Sequence, residues 1–154
     1  MSRATCMTKI QTLIQGLTTT FTSTDVTVSD WMILDSGNAP YAVIWPGEWE
    51  MEDYAFGGAS AVKFTWGINI TLYTKYLLSD VTTYVALDTL NQTVVNELNK
   101  YPTLNKLTGV LYARVTRGEE PAQVYSRDGA GPIFLMTTVR MQVEELANIT
   151  GGEY

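Results

Sequence analysis

Residues 61–78, AVKFTWGINITLYTKYLL, place apolar side chains at Val62, Phe64, Trp66, Ile68, Ile70 and Leu72. Lys63, Thr65, Gly67, Asn69, Thr71 and Tyr73 lie between them. A β-strand points successive side chains to opposite faces, so the alternation predicts one long strand with a buried face and a wet face. Such a strand needs a second layer over its apolar side, and the next segment supplies one. Ser79 or Asp80 offers an oxygen to cap a helix over 80–101. Tyr84, Leu87, Asn91, Val94, Leu98 and Tyr101 step along one side of it, and Pro102 ends it.

The flanking segments extend this pattern. Ile10, Leu13, Ile14, Leu17 and Phe21 form the stripe of an amphipathic helix over 4–20, weakened at its end by Thr18–Thr20. Residues 26–28 start a short strand, Trp31–Leu34 continue an apolar patch, and Asp35-Ser36-Gly37-Asn38 is a turn. Tyr41–Trp45 reads as a strand stopped by Pro46-Gly47. Residues 48–60 are acidic and aromatic, a loop or a hairpin arm tipped by Gly57-Gly58. Leu104–Val115 returns as a strand, with Leu111, Ala113 and Val115 opposite Tyr112, Arg114 and Thr116. A charged loop or hairpin tip, 117–131, leads to a last strand over about 132–146. The order predicts an α+β fold: a single antiparallel or mixed sheet, two main helices packed on one face, and extended hairpin arms. The 154 residues read as one domain, with a core over about 4–146 and a loose tail at 147–154.

Charge and residue types narrow the function. The net charge is −6 and the pI about 4.5, which gives no counterion-release affinity for a nucleic-acid duplex and no polybasic attachment to a membrane. Cys6 is the single cysteine and histidine is absent. No intrachain disulfide is possible, and neither a Ser-His nor a Cys-His pair can be built. Cys6 is expected to be a small apolar filler. No apolar run approaches the ~20 residues of a membrane span, and the N-terminus does not read as a signal peptide. The Asn-x-Thr triplets at Asn69, Asn91 and Asn148 are expected to be chance matches.

The candidate site residues fall in the arm and the charged loop. Glu48, Glu50 and Glu52 alternate, with Asp53 adjacent, so the glutamates share one face of an extended chain. They read as a solvated acidic arm or the lining of a channel; a hard-cation site is the weaker alternative, because the spacing fixes no coordination geometry. Trp49, Tyr54 and Phe56 are large rings on that segment, expected to fold back on the sheet or to dock on a partner. Trp66 is expected in the core. Arg117, Glu119, Glu120, Arg127 and Asp128, with Arg114, give the second loop mixed charge, which suits either a wet tip or pairing between neighbouring subunits. Gly129-Ala130-Gly131-Pro132 lacks the ending of a phosphate loop. No cofactor or metal motif is present. An enzyme reading needs a carboxylate pair, Glu48–Asp53 with Asp80 or Asp88, and nothing in the sequence makes them converge. A small ligand- or peptide-binding module using the sheet and its aromatics is a further alternative.

This element order resembles that of the tail terminator, or tail completion, proteins of long-tailed bacteriophages. The resemblance covers about 4–146 and lies in the initial helix, the strand ending Trp45-Pro46, the segment Trp66–Tyr73, the helix 80–101 and the final strand Phe134–Val143. It implies a non-enzymatic virion protein without cofactors, assembled in the host cytoplasm. It implies a ring, typically of six copies, that caps the tail tube and joins it to the head connector. The partners would be other copies of the chain, the tail tube protein and the head–tail connector protein, with DNA only passing through the lumen. By position, the arm 48–60 and the loop 117–131 would face neighbours or the tube. A connector, stopper or tube protein is the nearest alternative.

Overall fold

The computed structural model describes residues 3–28, 40–53, 61–77, 79–125, 129 and 131–148. Helix α1 is Arg3–Gln15, followed by a 3-10 turn at Ser23–Asp25 and strand β1, Val26–Val28. Strands β2 (Tyr41–Asp53) and β3 (Ala61–Lys75) precede helix α2, Asp80–Asn99. Strands β4 (Val110–Gly118), β5 (Ala122–Tyr125) and β6 (Pro132–Asn148) complete the chain. The fold is α+β, with one six-stranded mixed sheet in the order β1-β2-β3-β6-β4, β5 also pairing with β6. β1 runs parallel to β2, and every other pairing is antiparallel.

Strand β3 lies at the centre and has β2 along one edge and β6 along the other over nearly its whole length. Its Val62, Ile68, Ile70 and Leu72 are buried, as the alternation predicts. They pack with Cys6, Ile10 and Ile14 of α1, Leu87, Val94 and Leu98 of α2, and Val139, Met141 and Val143 of β6. Each such fully buried aliphatic side chain contributes about 1.5–3 kcal/mol. Ser79 caps α2, its Oγ accepting from the Thr82 N–H at 3.2 Å.

Several boundaries and faces differ from the sequence reading. α1 ends at Gln15 and α2 at Asn99. In α2 the buried positions are Thr83, Leu87, Leu90, Val94 and Leu98, whereas Tyr84 is turned outward. β3 stops at Lys75, and Tyr76 adds one more backbone bond, to the Ile133 carbonyl at 3.0 Å. β6 runs two residues beyond 146, to Asn148. In β4 an irregularity between Val110 and Tyr112 sends Leu111 outward and leaves Val110 and Ala113 in the core. The expected wet face of β3 is not wet at its far end. Tyr41, Val43, Thr71 and Phe134 are buried there, with Phe134 against Tyr41 and Tyr73 at ring distances of 6.0 and 6.3 Å. Trp31–Leu34, the turn at 35–38 and the Gly57-Gly58 tip lie outside the described residues.

The largest difference is at Pro46-Gly47, which does not stop β2. Pro46 pairs with Ile68 and Trp49 with Trp66, so Gly47 and Glu48 together oppose Gly67. This is a β-bulge, one extra residue on one strand. A Pro fits here because β1 pairs only with residues 42–44, leaving this stretch of β2 at an edge. Gly67 makes the close approach possible: a Cβ at that position would sit 2.5 Å from the Glu48 carbonyl oxygen. The chain returns from α2 through Leu104, Asn105 and Lys106, all left-handed with φ of 49°, 58° and 62°. Left-handed backbone costs about 1–2 kcal/mol per residue. The fully buried Leu104 side chain and the Ala113 N–H bond to the Pro102 carbonyl, 2.7 Å, offset it.

Gly67→Ala is expected to cost at least about 2 kcal/mol, because the clash is with backbone rather than a flexible side chain. Gly118→Ala, where nothing lies within 4 Å of the added methyl, is expected to stay within about 0.5 kcal/mol of the parent. Chemical denaturation of both variants checks the contrast.

Candidate interaction surface

The bulge decides what the arm formed by β2 and β3 presents. Residues paired across antiparallel strands share a face, so Trp49 and Met51 lie with Trp66 and Phe64 on the side the helices cover. Glu50 and Glu52 lie on the opposite side, with Thr65 and Lys63. Phe64 and Trp66 stack at 4.7 Å with rings nearly parallel, and Trp49 tilts against both at 6.3 and 6.0 Å. Trp49 is nevertheless 54% exposed and Met51 57% exposed. Trp49 thus folds back on the sheet and still leaves much of its ring, with Met51, in solvent.

Helix α1 secures the base of the arm. Arg3 donates to the Gly47 carbonyl at 2.6 Å, and its guanidinium lies 5.5 Å from the Trp66 ring centre. The carbonyl at the bulge thereby accepts a charged side-chain donor. On the other side Glu48, Trp49 and Glu50 border a shallow cleft of about 80 Å³ with Thr65, Gly67, Arg140 and Gln142. Arg140 donates to Asn69 Oδ1 at 3.3 Å. Half-buried Lys63 pairs with exposed Glu52 at 3.2 Å, and ion pairs open to solvent on one side are worth about 1 kcal/mol or less.

The charged segment expected over 117–131 lies on the opposite edge of the sheet. Arg117 is exposed on β4, and exposed Glu119 and Glu120 link β4 to β5. β4 and β5 follow the same edge of β6, and the ladder continues between them: Glu119 N–H donates to the Thr138 carbonyl at 2.9 Å. Arg114 lies over the Tyr112 ring at 5.8 Å. Tyr54, Phe56, Arg127, Asp128 and the side chain of Asp53 lie outside the described residues. The structure therefore gathers Trp49 with its aromatic neighbours but separates the arm from Arg117, Glu119 and Glu120 by the width of β3 and β6.

The carboxylates of the enzyme alternative are not brought together. Glu52 pairs beside Lys63 at one end of β3, whereas Asp80 follows the other end, accepting from Tyr76 and from Gln123 at 3.4 Å. Asp88 is exposed on α2. Among the described residues no group of three His, Cys, Asp or Glu side chains gathers, and no helix is long and apolar enough to cross a membrane.

Glu145 is the residue the sequence reading missed. It lies fully buried on β6, paired with Phe64, in the register of Val139, Met141 and Val143. Its Oε2 accepts from the Trp66 indole N–H at 3.3 Å and from Cys6 Sγ at 3.6 Å, while Oε1 has no protein partner. The signal was present: an acidic residue on the apolar register of a strand. Cys6 is a buried filler, as expected, but one that donates to a carboxyl. Burial, then the charge of Glu145 and its hydrogen bond, push the Cys6 thiol from 9.0 up to about 12.

No protein-family model matches the chain, and no curated protein matches it significantly.

Two outcomes are expected at this buried group. Glu145→Ala opens a cavity and strands the Trp66 N–H, for a loss of about 2–4 kcal/mol in denaturant titration followed by tryptophan fluorescence. The raised thiol makes the native state hold its proton after the unfolded state has lost it, so this contribution is intact below about pH 9 and declines towards 12. Cys6→Ala is expected to flatten the alkaline fall in stability across that window, measured by thermal unfolding at stepped pH.

Proposed function

We propose that the protein is a structural virion component, a tail terminator of a long-tailed bacteriophage, acting as a ring of about six copies. The ring caps the tail tube and joins it to the head connector, and DNA passes through its lumen. The observation that carries this reading is the arm itself: two long strands holding Trp49 and Met51 exposed beside an acidic edge, with Arg3 bonded to the bulge at its base. Exposed aromatic and methionine side chains on a strand paired into the sheet suit protein contacts. The acidic balance, −6 overall, suits a lumen that repels the DNA backbone. The element order carries the resemblance to tail terminators.

A stopper, connector or tube protein shares these features and differs in its place in the particle. Electron microscopy of particles assembled without this gene product separates them. Overlong, headless tails are expected for a terminator. Normal tails beside unsealed heads would instead indicate a connector or stopper, and full heads without tails a tube protein. Intact virions would overturn the structural reading.

A further inference from the structure

The outer edge of β2 is open where the arm leaves the core. β1 runs beside β2 only as far as the pair of Val28 with Ile44, and among the described residues no strand follows it in that lane. Arg3 takes the Gly47 carbonyl, so the free stretch begins at Glu48. In an antiparallel ladder, residues alternate between turning their N–H and C=O groups towards the partner strand and away from it. From Trp49 to Asp53 the pairing with β3 is regular, so every second residue there turns both groups outward. Among the described residues no other backbone group bonds to them. Open edges of this kind accept a further strand.

The side chains of this edge sort by chemistry. Residues 48–53 read EWEMED and carry no cation. Exposed Glu50 and Glu52 lie on one face, and exposed Trp49 and Met51 on the other. Three cations lie close by, each with a partner already. Lys63 pairs with Glu52, Arg3 donates to Gly47, and Arg140, which borders the cleft with Glu48 and Glu50, donates to Asn69. Among the described residues neither Glu48 nor Glu50 makes an ion pair. The described strands of the same chain do not supply the missing cations. β3 is paired along both sides. β4 carries arginines and no anion, but its Ala113 N–H is already bonded to the Pro102 carbonyl at 2.7 Å. Two β2 edges from separate copies would set glutamates against glutamates, which is destabilising across paired strands.

We propose that the β2 edge at 48–53 takes in an extended segment of a different protein, one that alternates basic and apolar residues. The segment adds as a strand in the lane that β1 leaves empty beyond Ile44. Its backbone bonds the outward groups of 49–53, its cations face Glu48 and Glu50, and its apolar residues cover Trp49 and Met51. Side chains of a strand alternate with a period of two, so this one pattern satisfies both faces. The glutamates that hold two copies apart are the same groups that select a basic partner. On the tail-terminator reading above, the segment belongs to the tube or the connector protein; the strand addition itself needs only the arm.

Short synthetic peptides titrated against the full chain, followed by tryptophan fluorescence, test this. A peptide alternating lysine and valine is expected to bind saturably. Two controls of equal charge are expected to bind at least tenfold more weakly: one with its lysines and valines in separate blocks, and one alternating but N-methylated throughout. Hydrogen exchange at residues 48–53 is expected to slow with the alternating peptide, and exchange in β4 to stay unchanged. Glu48→Arg/Glu50→Arg, at exposed positions, is expected to bind the lysine peptide at least tenfold more weakly and to bind a peptide alternating glutamate and valine instead. That exchange of preference also establishes that the variant folds. A parent that does not bind the alternating peptide, equal binding of either control, or protection that misses 48–53 would overturn the strand addition. Light scattering that finds the parent self-associated and the double variant dispersed would assign the edge to a second copy and overturn it as well. The tail-length micrographs decide the terminator reading independently. Overlong tails without peptide binding would sink the strand addition alone. Intact virions together with peptide binding at 48–53 would sink the terminator reading alone.

Discussion

Strand β3 has neighbours along both edges and an apolar register that must be kept from water, and most of the molecule answers that demand. α1 and α2 cover Ile68, Ile70 and Leu72. β6 supplies Val139, Met141 and Val143 alongside them. The cover thins towards Phe64 and Trp66, which are only half-buried. There the strand recruits Trp49 from β2 and Arg3 from α1, and the Trp49 ring remains largely in solvent. The exposed arm is thus an extension of the same strand that organises the core.

The bulge at Gly47 and Glu48 controls the chemistry of that arm. An unbroken period of two from Ala42, Ile44 and Pro46 would carry Glu48, Glu50 and Glu52 onto the helix side. One extra residue reverses this, sending Trp49 and Met51 to the apolar side and the glutamates to the other. Gly67 permits the required approach, and Arg3 donates to the Gly47 carbonyl. A local backbone irregularity therefore determines both the apolar face and the acidic edge.

Glu145 lies directly behind this arrangement. A buried carboxyl is costly unless its oxygens are partnered, and only one of the two is, by Trp66 and Cys6. The bond to the Trp66 indole ties the base of the arm to β6, so the packing of the aromatic group and the buried polar group are coupled. α1 contributes to both through Arg3 and Cys6. The first helix thus acts as a brace as well as a cover.

The local rules of the chain determined the elements. The alternation at 62–72 specified β3 and its buried side, Ser79 specified the start of α2, and the spacing of Glu48, Glu50 and Glu52 specified their common face. These depend on neighbours a few positions away, through strand period and capping. Long-range pairing decided the rest. Pro46-Gly47 reads as a stop until β3 offers Gly67 across from it, and Leu111 reads as inward until the irregularity against β6 turns it out. Tyr41 and Phe134, far apart in sequence, share a face only because both flank β3. The environment of Glu145 needs α1, β3 and β6 together.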